Sequence, residues 1–393
     1  MILYNRVGRG TYWRALGYAQ QLAHNHNYEV TIMAVSPTPI RHIQTHTQSS
    51  PLGTGTVTII KTPDLMPASG YDPYDSIQRL LWLRGKDYEL IHAFECRPVV
   101  ILPALYAQRM MGVPLVTDWC DWFGRGGSVE RRENPFLRAM LRQTETFFEE
   151  TFRPSTAGTT VINSILQNKA LALGIPQEKI LLLHNGANID EIVPENKNEL
   201  RAKYQLPLDG PIFAYTGAIF NDDAQLMAKT FDLIVEKIPT ARLLMIGYCN
   251  IDLKALVKYP QQVIQTGQIS YAALADYVVV ADVGLLALSN TGANQGRFPM
   301  KLHDFMAAGV PVVVSDVGDL GTFISDRGIG RVGEDNAIDL ARVSIELISK
   351  PHIHQMMGQQ ARKIAETEFA WSIVTQKLHT FYQKILNTSK TAR

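Results

Sequence analysis

Arg297-Phe298-Pro299-Met300-Lys301-Leu302-His303-Asp304-Phe305-Met306-Ala307-Ala308-Gly309-Val310-Pro311-Val312-Val313 reads as a short helix delivered onto a buried strand. Pro299 suits a first helical turn, where a backbone N–H has no partner inside the helix, and Gly309 suits a C-terminal cap. Pro311 then opens an apolar run. The helix start offers free backbone N–H groups and a positive dipole end next to Arg297 and Lys301, which is the physics of a diphosphate site. Further along, Asp304 is spaced to accept hydrogen bonds from a ribose diol. The same spacing also fits a plain helix-to-strand unit with a solvated basic end.

Outward from this segment, short apolar runs alternate with helix-length amphipathic stretches, the pattern of βαβ units building parallel sheets. Strands are expected at Tyr28–Ala34, Thr56–Lys61, Leu90–Ala93, Pro114–Thr117, Gly158–Ile162 and Ile180–Leu183. A second series follows at Ile212–Thr216, Ala241–Ile246, Val263–Thr266, Val283–Leu288, Pro311–Ser315 and Ile329–Val332. Two series predict an α/β chain of two doubly wound, Rossmann-like domains. Polarity rises and periodicity stops around Pro194, which places the domains at 1–194 and 195–368. Residues 369–393 remain as a final helix packing back across the junction.

The 393 residues carry 38 Lys and Arg against 37 Asp and Glu, so the net charge of +1 argues against nucleic acid as a partner. Three cysteines, Cys96, Cys120 and Cys249, form no C-x-x-C pair and no disulfide framework, which fits a reducing compartment. No run of apolar residues is long enough to span a bilayer, and no leader pattern precedes the first helix. A cytoplasmic protein is expected.

Three further segments carry chemical potential. The glycine loop at Val7–Tyr12, with Gly8 and Gly10, precedes the first long helix, where backbone N–H groups can meet a phosphate or act as a tight turn only. Asp118-Trp119-Cys120-Asp121-Trp122-Phe123-Gly124-Arg125-Gly126-Gly127 follows a strand and packs acids, aromatics and glycines together. Asp118 or Asp121 is a candidate to orient an acceptor hydroxyl, with helix capping as the alternative. His92 ends its strand as a lone histidine, a type more often structural than catalytic. Between Gly124 and Gln143 five arginines (125, 131, 132, 138 and 142) face two glutamates (130 and 133). Phe136, Leu137, Met140, Leu141, Phe147 and Phe148 recur there at helical spacing, so residues 125–148 fit a peripheral membrane contact or a core stripe.

The segment around Asp304 resembles the donor-site motif of family 4 glycosyltransferases with the GT-B fold, a Pro-x-Lys-Leu-x-(acid)-aromatic-Met-Ala-Ala-Gly-x-Pro-Val-Val string. Leu90–Ala93, Val113–Asp118, Leu183–Asp190 with its Asn185-Gly186, and Tyr215-Thr216-Gly217 resemble the same family in the same order. The resemblance implies two Rossmann-like domains facing a cleft, acceptor domain first and nucleotide-sugar domain second. It implies sugar transfer from a nucleoside-diphosphate sugar to a hydroxyl of a glycan, lipid-linked or small-molecule acceptor, with retention and without metal or other cofactor. Arg297 and Lys301 would stabilise the departing diphosphate, and Asp118 or Asp121 would serve the acceptor. Gly8, Gly10, Gly217, Gln268, Ile269, Leu302 and Asp304 would complete the nucleotide-sugar site.

Two departures stand against that pattern. Gly296 occupies the position of the family's first glutamate, and Asp222-Asp223 lies where two diphosphate-clamping cations are normal. They keep open a non-catalytic GT-B homologue that binds nucleotide or glycan as a partner subunit; a third alternative is a GT-B sugar-nucleotide epimerase, which needs no acceptor and is disfavoured by the Asp304 segment and Asn185-Gly186.

Overall fold

The computed structural model describes residues 1–49, 56–66 and 70–391. They form two units, Met1–Gly186 with Trp371–Arg393, and Ala187–Ala370. The division precedes the expected Pro194 because the intervening stretch is tied to the second unit. Ala187 N–H donates to Phe369 O, and the Arg362 guanidinium donates to the carbonyls of Ile189 and Ile192.

In the first unit eight strands run β1 (Ile2–Arg6), β2 (Val30–Val35), β3 (Gln44–Ser49), β4 (Thr56–Thr62), β5 (Ile91–Phe94), β6 (Leu115–Trp119), β7 (Gly158–Val161) and β8 (Ile180–Leu182). Their order in the sheet is β3-β4-β2-β1-β5-β6-β7-β8, parallel except for the antiparallel β3–β4 pair. Two of these strands lack a sequence signature. β1 is five residues with a polar end, and β3, Gln-Thr-His-Thr-Gln-Ser, has no apolar residue because it pairs on one side only, at the sheet edge.

The second unit holds β9 (Ile212–Thr216), β10 (Arg242–Ile246), β11 (Val263–Gln265), β12 (Val283–Leu286), β13 (Val312–Ser315) and β14 (Gly330–Gly333). All pairs are parallel in the order β11-β10-β9-β12-β13-β14. β9, β12 and β13 are buried along their whole length, which explains their unbroken apolar runs. Each sheet reverses its winding once, at β1/β5 and at β9/β12. The crevice beyond the carboxyl ends of the strands at such a reversal is where open α/β sheets bind ligands.

The final helix, Trp371–Thr391, belongs to the first unit. Trp371 lies flat on Gly17 and Gly186: a Cβ at either glycine would come within 2.6 Å of the indole. Tyr18 meets the same ring edge-on at 5.2 Å between centroids. Gly186 of the Asn-Gly motif is therefore a packing requirement.

Candidate functional site

In the second unit three neighbouring strands end alike. β9, β10 and β11 run into Gly217, Gly247 and Gly267, at φ of 74°, 81° and 68°, each with open space where a Cβ would stand. The turns brace one another: Gly217 N–H donates to Ile246 O at 2.8 Å, and Gly247 N–H to the Thr266 hydroxyl at 2.9 Å. Gly217 thus contributes shape rather than a free donor. Gln268, exposed, and Ile269, half-buried, follow directly on this rim.

The helix Met300–Ala307 reaches β9 through Lys301, which lies against the Tyr215 ring. Pro299 is its N-cap, and the other end closes with Gly309 at φ 65°, Gly309 N–H donating to Met306 O and Val310 N–H to Phe305 O. That is the bonding of a Schellman cap, which accounts for the glycine. Helical spacing puts Lys301 and Asp304 on one half-buried face and turns Leu302 and Phe305 inward. Leu302 is fully buried and its N–H is spent on Pro299 O, so it packs the core and is no ligand contact.

Lys301 Nζ sits 3.5 Å from the centre of the Tyr215 ring. Burial, and then the Arg297 charge, hold its pKa well below the usual lysine range, against the pull of Asp223 and Asp304. Burial raises Asp304 to about 7, opposed by Lys301. Among the described residues neither side chain takes a hydrogen bond or an ion pair. Lys301 thus rests on a ring face near two acids, and its hydrogen-bond donors and the acceptors of Asp304 share one half-buried face where a ligand could meet them. Arg297 lies over the Phe220 ring at 4.8 Å and donates to Asn294 Oδ1 at 3.0 Å. Asp223 is buried and accepts from Ser289 N–H and Asn294 Nδ2, so it anchors the 289–294 loop.

The first unit gathers other residues at the carboxyl ends of its strands. Gly8 and Gly10, both at positive φ, form the turn from β1 into the helix Thr11–His26. Thr11 Oγ1 lies 3.8 Å from Cys120 Sγ. Glu95, after β5, takes a left-handed backbone at φ 67°. Its Oε1 accepts from Cys120 N–H, the Cys120 thiol and Asp121 N–H, and its Oε2 from Arg153. Burial pushes Glu95 up to about 8, with Arg153 opposing. Glu149 does the same from the helix Pro135–Thr151, accepting from Trp119 Nε1, Phe123 N–H and Gly124 N–H. Two buried carboxylates therefore fix the aromatic loop, and half-buried Asp121 is the acid it presents at this edge.

Asp118 does not face that edge. It is 0% exposed; Arg14 grips both its oxygens, and Thr160 donates to Oδ1. Arg14 also donates to Asn185 Oδ1 and Leu183 O. Although burial works against ionisation, Arg14 holds the Asp118 carboxyl below the usual carboxylate range. The expected acceptor role for Asp118 is corrected accordingly: its lone pairs are committed inside the unit. His92 is likewise internal, bonded to Tyr382 and Thr160, and burial takes it down to about 3. A cavity of about 630 Å³ lined by Tyr28, Glu29, Asp87, Glu89 and Tyr382 opens at the opposite, amino-terminal end of β1 and β2, away from these residues.

Residues 210–350 match the family of glycosyl transferases group 1. A protein of Bacillus subtilis (strain 168), TuaH, named a teichuronic acid biosynthesis glycosyltransferase, is 24% identical over 237 residues; the match spans 59% of this chain and 57% of that protein. Among solved structures, sucrose-phosphate synthase from Thermosynechococcus elongatus superposes with a TM-score of 0.75 at 17% identity, covering 98% of this chain and 96% of that one. Anabaena Alr3699/HepE, solved in complex with UDP-glucose, gives 0.72 at 13% identity, covering 98% of each. No helix among the described residues is long and apolar enough to cross a membrane. The chain has the GT-B fold, and the match to glycosyl transferases group 1 covers residues 210–350 of its second unit.

Proposed function

We propose that this protein is a retaining, family 4-type glycosyltransferase that moves a sugar from a nucleoside-diphosphate sugar to a hydroxyl acceptor. The observation that carries the reading is the pair Lys301 and Asp304 on one half-buried helix face, neither in a hydrogen bond or ion pair among the described residues, with Lys301 against the Tyr215 ring of β9, the strand that runs into Gly217. Lys301 and Arg297 hold the diphosphate and stabilise the charge that develops as the bond from sugar to phosphate breaks. Asp304 accepts from the ribose diol, and Gln268 and Ile269 flank the base. The leaving phosphate oxygen takes the acceptor proton, so no strong protein base is required. Neither a metal nor another cofactor enters this scheme. Asp121 is the acid that remains for the acceptor side.

The acceptor is a glycan, lipid-linked or small-molecule hydroxyl, and contact with an anionic membrane surface is part of the proposal. What supports that contact is the inverted pattern of the helix Pro135–Thr151. Its buried face carries Glu145 and Glu149, bonded to Arg97 and to the aromatic loop, while Phe136, Met140 and Phe147 are 87%, 60% and 51% exposed. Exposed aromatic and thioether side chains flanked by five arginines suit the boundary between headgroups and acyl chains.

The test is incubation with UDP-, GDP-, ADP-, dTDP- and CDP-sugars and detection of released nucleoside diphosphate. Release from one nucleotide class is expected, accelerated by a hydroxyl acceptor. No release from any of them would remove the transferase reading.

A further inference from the structure

Tyr215 is the fourth residue of β9, two before the turn at Gly217, and it is 2% exposed. Its hydroxyl donates to Ala218 O at 3.2 Å, just past that turn, so the ring is anchored at its far end. Lys301, in the first turn of the helix Met300–Ala307, brings Nζ to 3.5 Å from the centre of the ring. The titratable groups that act on the ammonium are Arg297, Asp223, Asp304 and Cys249, and among the described residues none of them is bonded to it. Its one close contact is therefore the ring face.

Resting on the donor-site reading above, we infer that Tyr215 is the positioning residue that holds the Lys301 ammonium in place for the diphosphate. A lysine head rides on a flexible four-carbon stem, and ordering it at the moment of binding costs conformational entropy unless something already holds it. A carboxylate would hold it, but would also cancel its charge and take up its N–H donors. A ring face attracts the ammonium through its quadrupole, most strongly where water is excluded, and leaves the positive charge undiminished. The N–H groups turned away from the ring then remain for phosphate oxygens, on the half-buried face that Lys301 shares with Asp304. Tyr215 touches no ligand in this scheme and acts only through Lys301.

The test compares affinities for the best-binding member of UDP, GDP, ADP, dTDP and CDP and for its nucleoside, in wild type, Tyr215→Leu, Tyr215→Phe, Lys301→Ala and Tyr215→Leu combined with Lys301→Ala. Tyr215→Met replaces the leucine variant if that one does not accumulate folded. Loss of a desolvated contact between cation and ring predicts about a tenfold weaker nucleoside diphosphate complex for Tyr215→Leu, with nucleoside affinity unchanged. Tyr215→Phe keeps the ring and loses only the bond to Ala218 O, so it should bind as the wild type does. In the Lys301→Ala background the leucine change should cost nothing further. Equal losses for nucleotide and nucleoside, a loss in Tyr215→Phe as large as in Tyr215→Leu, full additivity with Lys301→Ala, or unaltered nucleotide affinity in Tyr215→Leu would each overturn the positioning role while leaving the donor site standing. Wild type binding none of the five nucleotides, or Lys301→Ala binding as tightly as wild type, would overturn both.

Discussion

Arg14 and Asp118 form a two-pronged pair sealed inside the first unit: Nε reaches Oδ2 at 3.1 Å and the guanidinium Nη2 reaches Oδ1 at 2.9 Å. The same guanidinium donates to Asn185 and to the Leu183 carbonyl, so one cation joins the helix Thr11–His26, β6 and the segment after β8. Removing one partner of such a pair leaves a charge uncompensated, so Asp118→Ala should destabilise the protein by about 3–5 kcal/mol. Nucleoside diphosphate affinity per folded molecule should stay at the wild-type value, because the residues proposed to bind it, Lys301, Asp304 and Arg297, belong to the other unit. Denaturant unfolding alongside calorimetric titration separates the two. A folded, equally stable Asp118→Ala would mean that the pair contributes nothing.

Lys301→Ala should weaken nucleoside diphosphate binding by about 1.5–3 kcal/mol, the range for a charge-assisted hydrogen bond. Thermal stability should change little, since relief of a largely buried cation offsets the loss of its contact with the Tyr215 ring. An unchanged dissociation constant would take Lys301 out of the site.

Asp304, raised to about 7, accepts from a diol best as the carboxylate. Ribonucleoside diphosphate affinity should therefore fall as pH drops through about 7, and the 2′,3′-dideoxy analogue should show a smaller fall. Asp304→Asn should remove the difference between the two ligands. Parallel pH profiles for both ligands in wild type would refute the diol contact.

His92 is held neutral, down to about 3 from an ordinary 6.5. A histidine depressed by folding contributes stability that is present above the unfolded value and lost as pH falls below it, because only the unfolded chain then takes up the proton. Between pH 6.5 and 4 the wild type should lose up to about 1.4 kcal/mol per pH unit more than His92→Gln. Identical slopes in chemical denaturation would show that burial of this ring carries no proton linkage.

Vesicle sedimentation addresses the inverted helix. Vesicles of phosphatidylcholine with phosphatidylglycerol should pellet the wild type, and neutral vesicles should pellet less of it, each cation near the headgroups contributing about 1 kcal/mol. Phe136→Glu with Met140→Glu should abolish pelleting without unfolding, since both side chains are exposed. Equal behaviour of the wild type on charged and neutral vesicles would contradict an anionic partner.

Legibility in the sequence followed burial. The wholly buried strands β9, β12 and β13 and the capped helix Met300–Ala307 announce themselves by apolar runs, Pro and Gly, and the structure has them where they were expected. β3 escaped notice because an edge strand of polar residues has no period to read, and β1 because five residues hold too little pattern. In the site, the face shared by Lys301 and Asp304 follows from helical spacing. The commitments of polar groups do not: Asp118 and Asp121 look alike in sequence, yet one is locked by Arg14, 104 positions away in the chain. Asp223 looked like a misplaced charge until its bonds to Ser289 and Asn294 made it an anchor. Glu149 had no sequence signal at all, because its role is set by three donors delivered by a distant loop.

The most direct measurement is thermal denaturation of the wild type and of Lys301→Ala with UDP, GDP, ADP, dTDP and CDP. One nucleotide should stabilise the wild type selectively, by about 2.7 kcal/mol at one hundred times its dissociation constant, and far less in Lys301→Ala. Stabilisation by none of the five, or an equal shift in both proteins, would contradict a donor site built on Lys301.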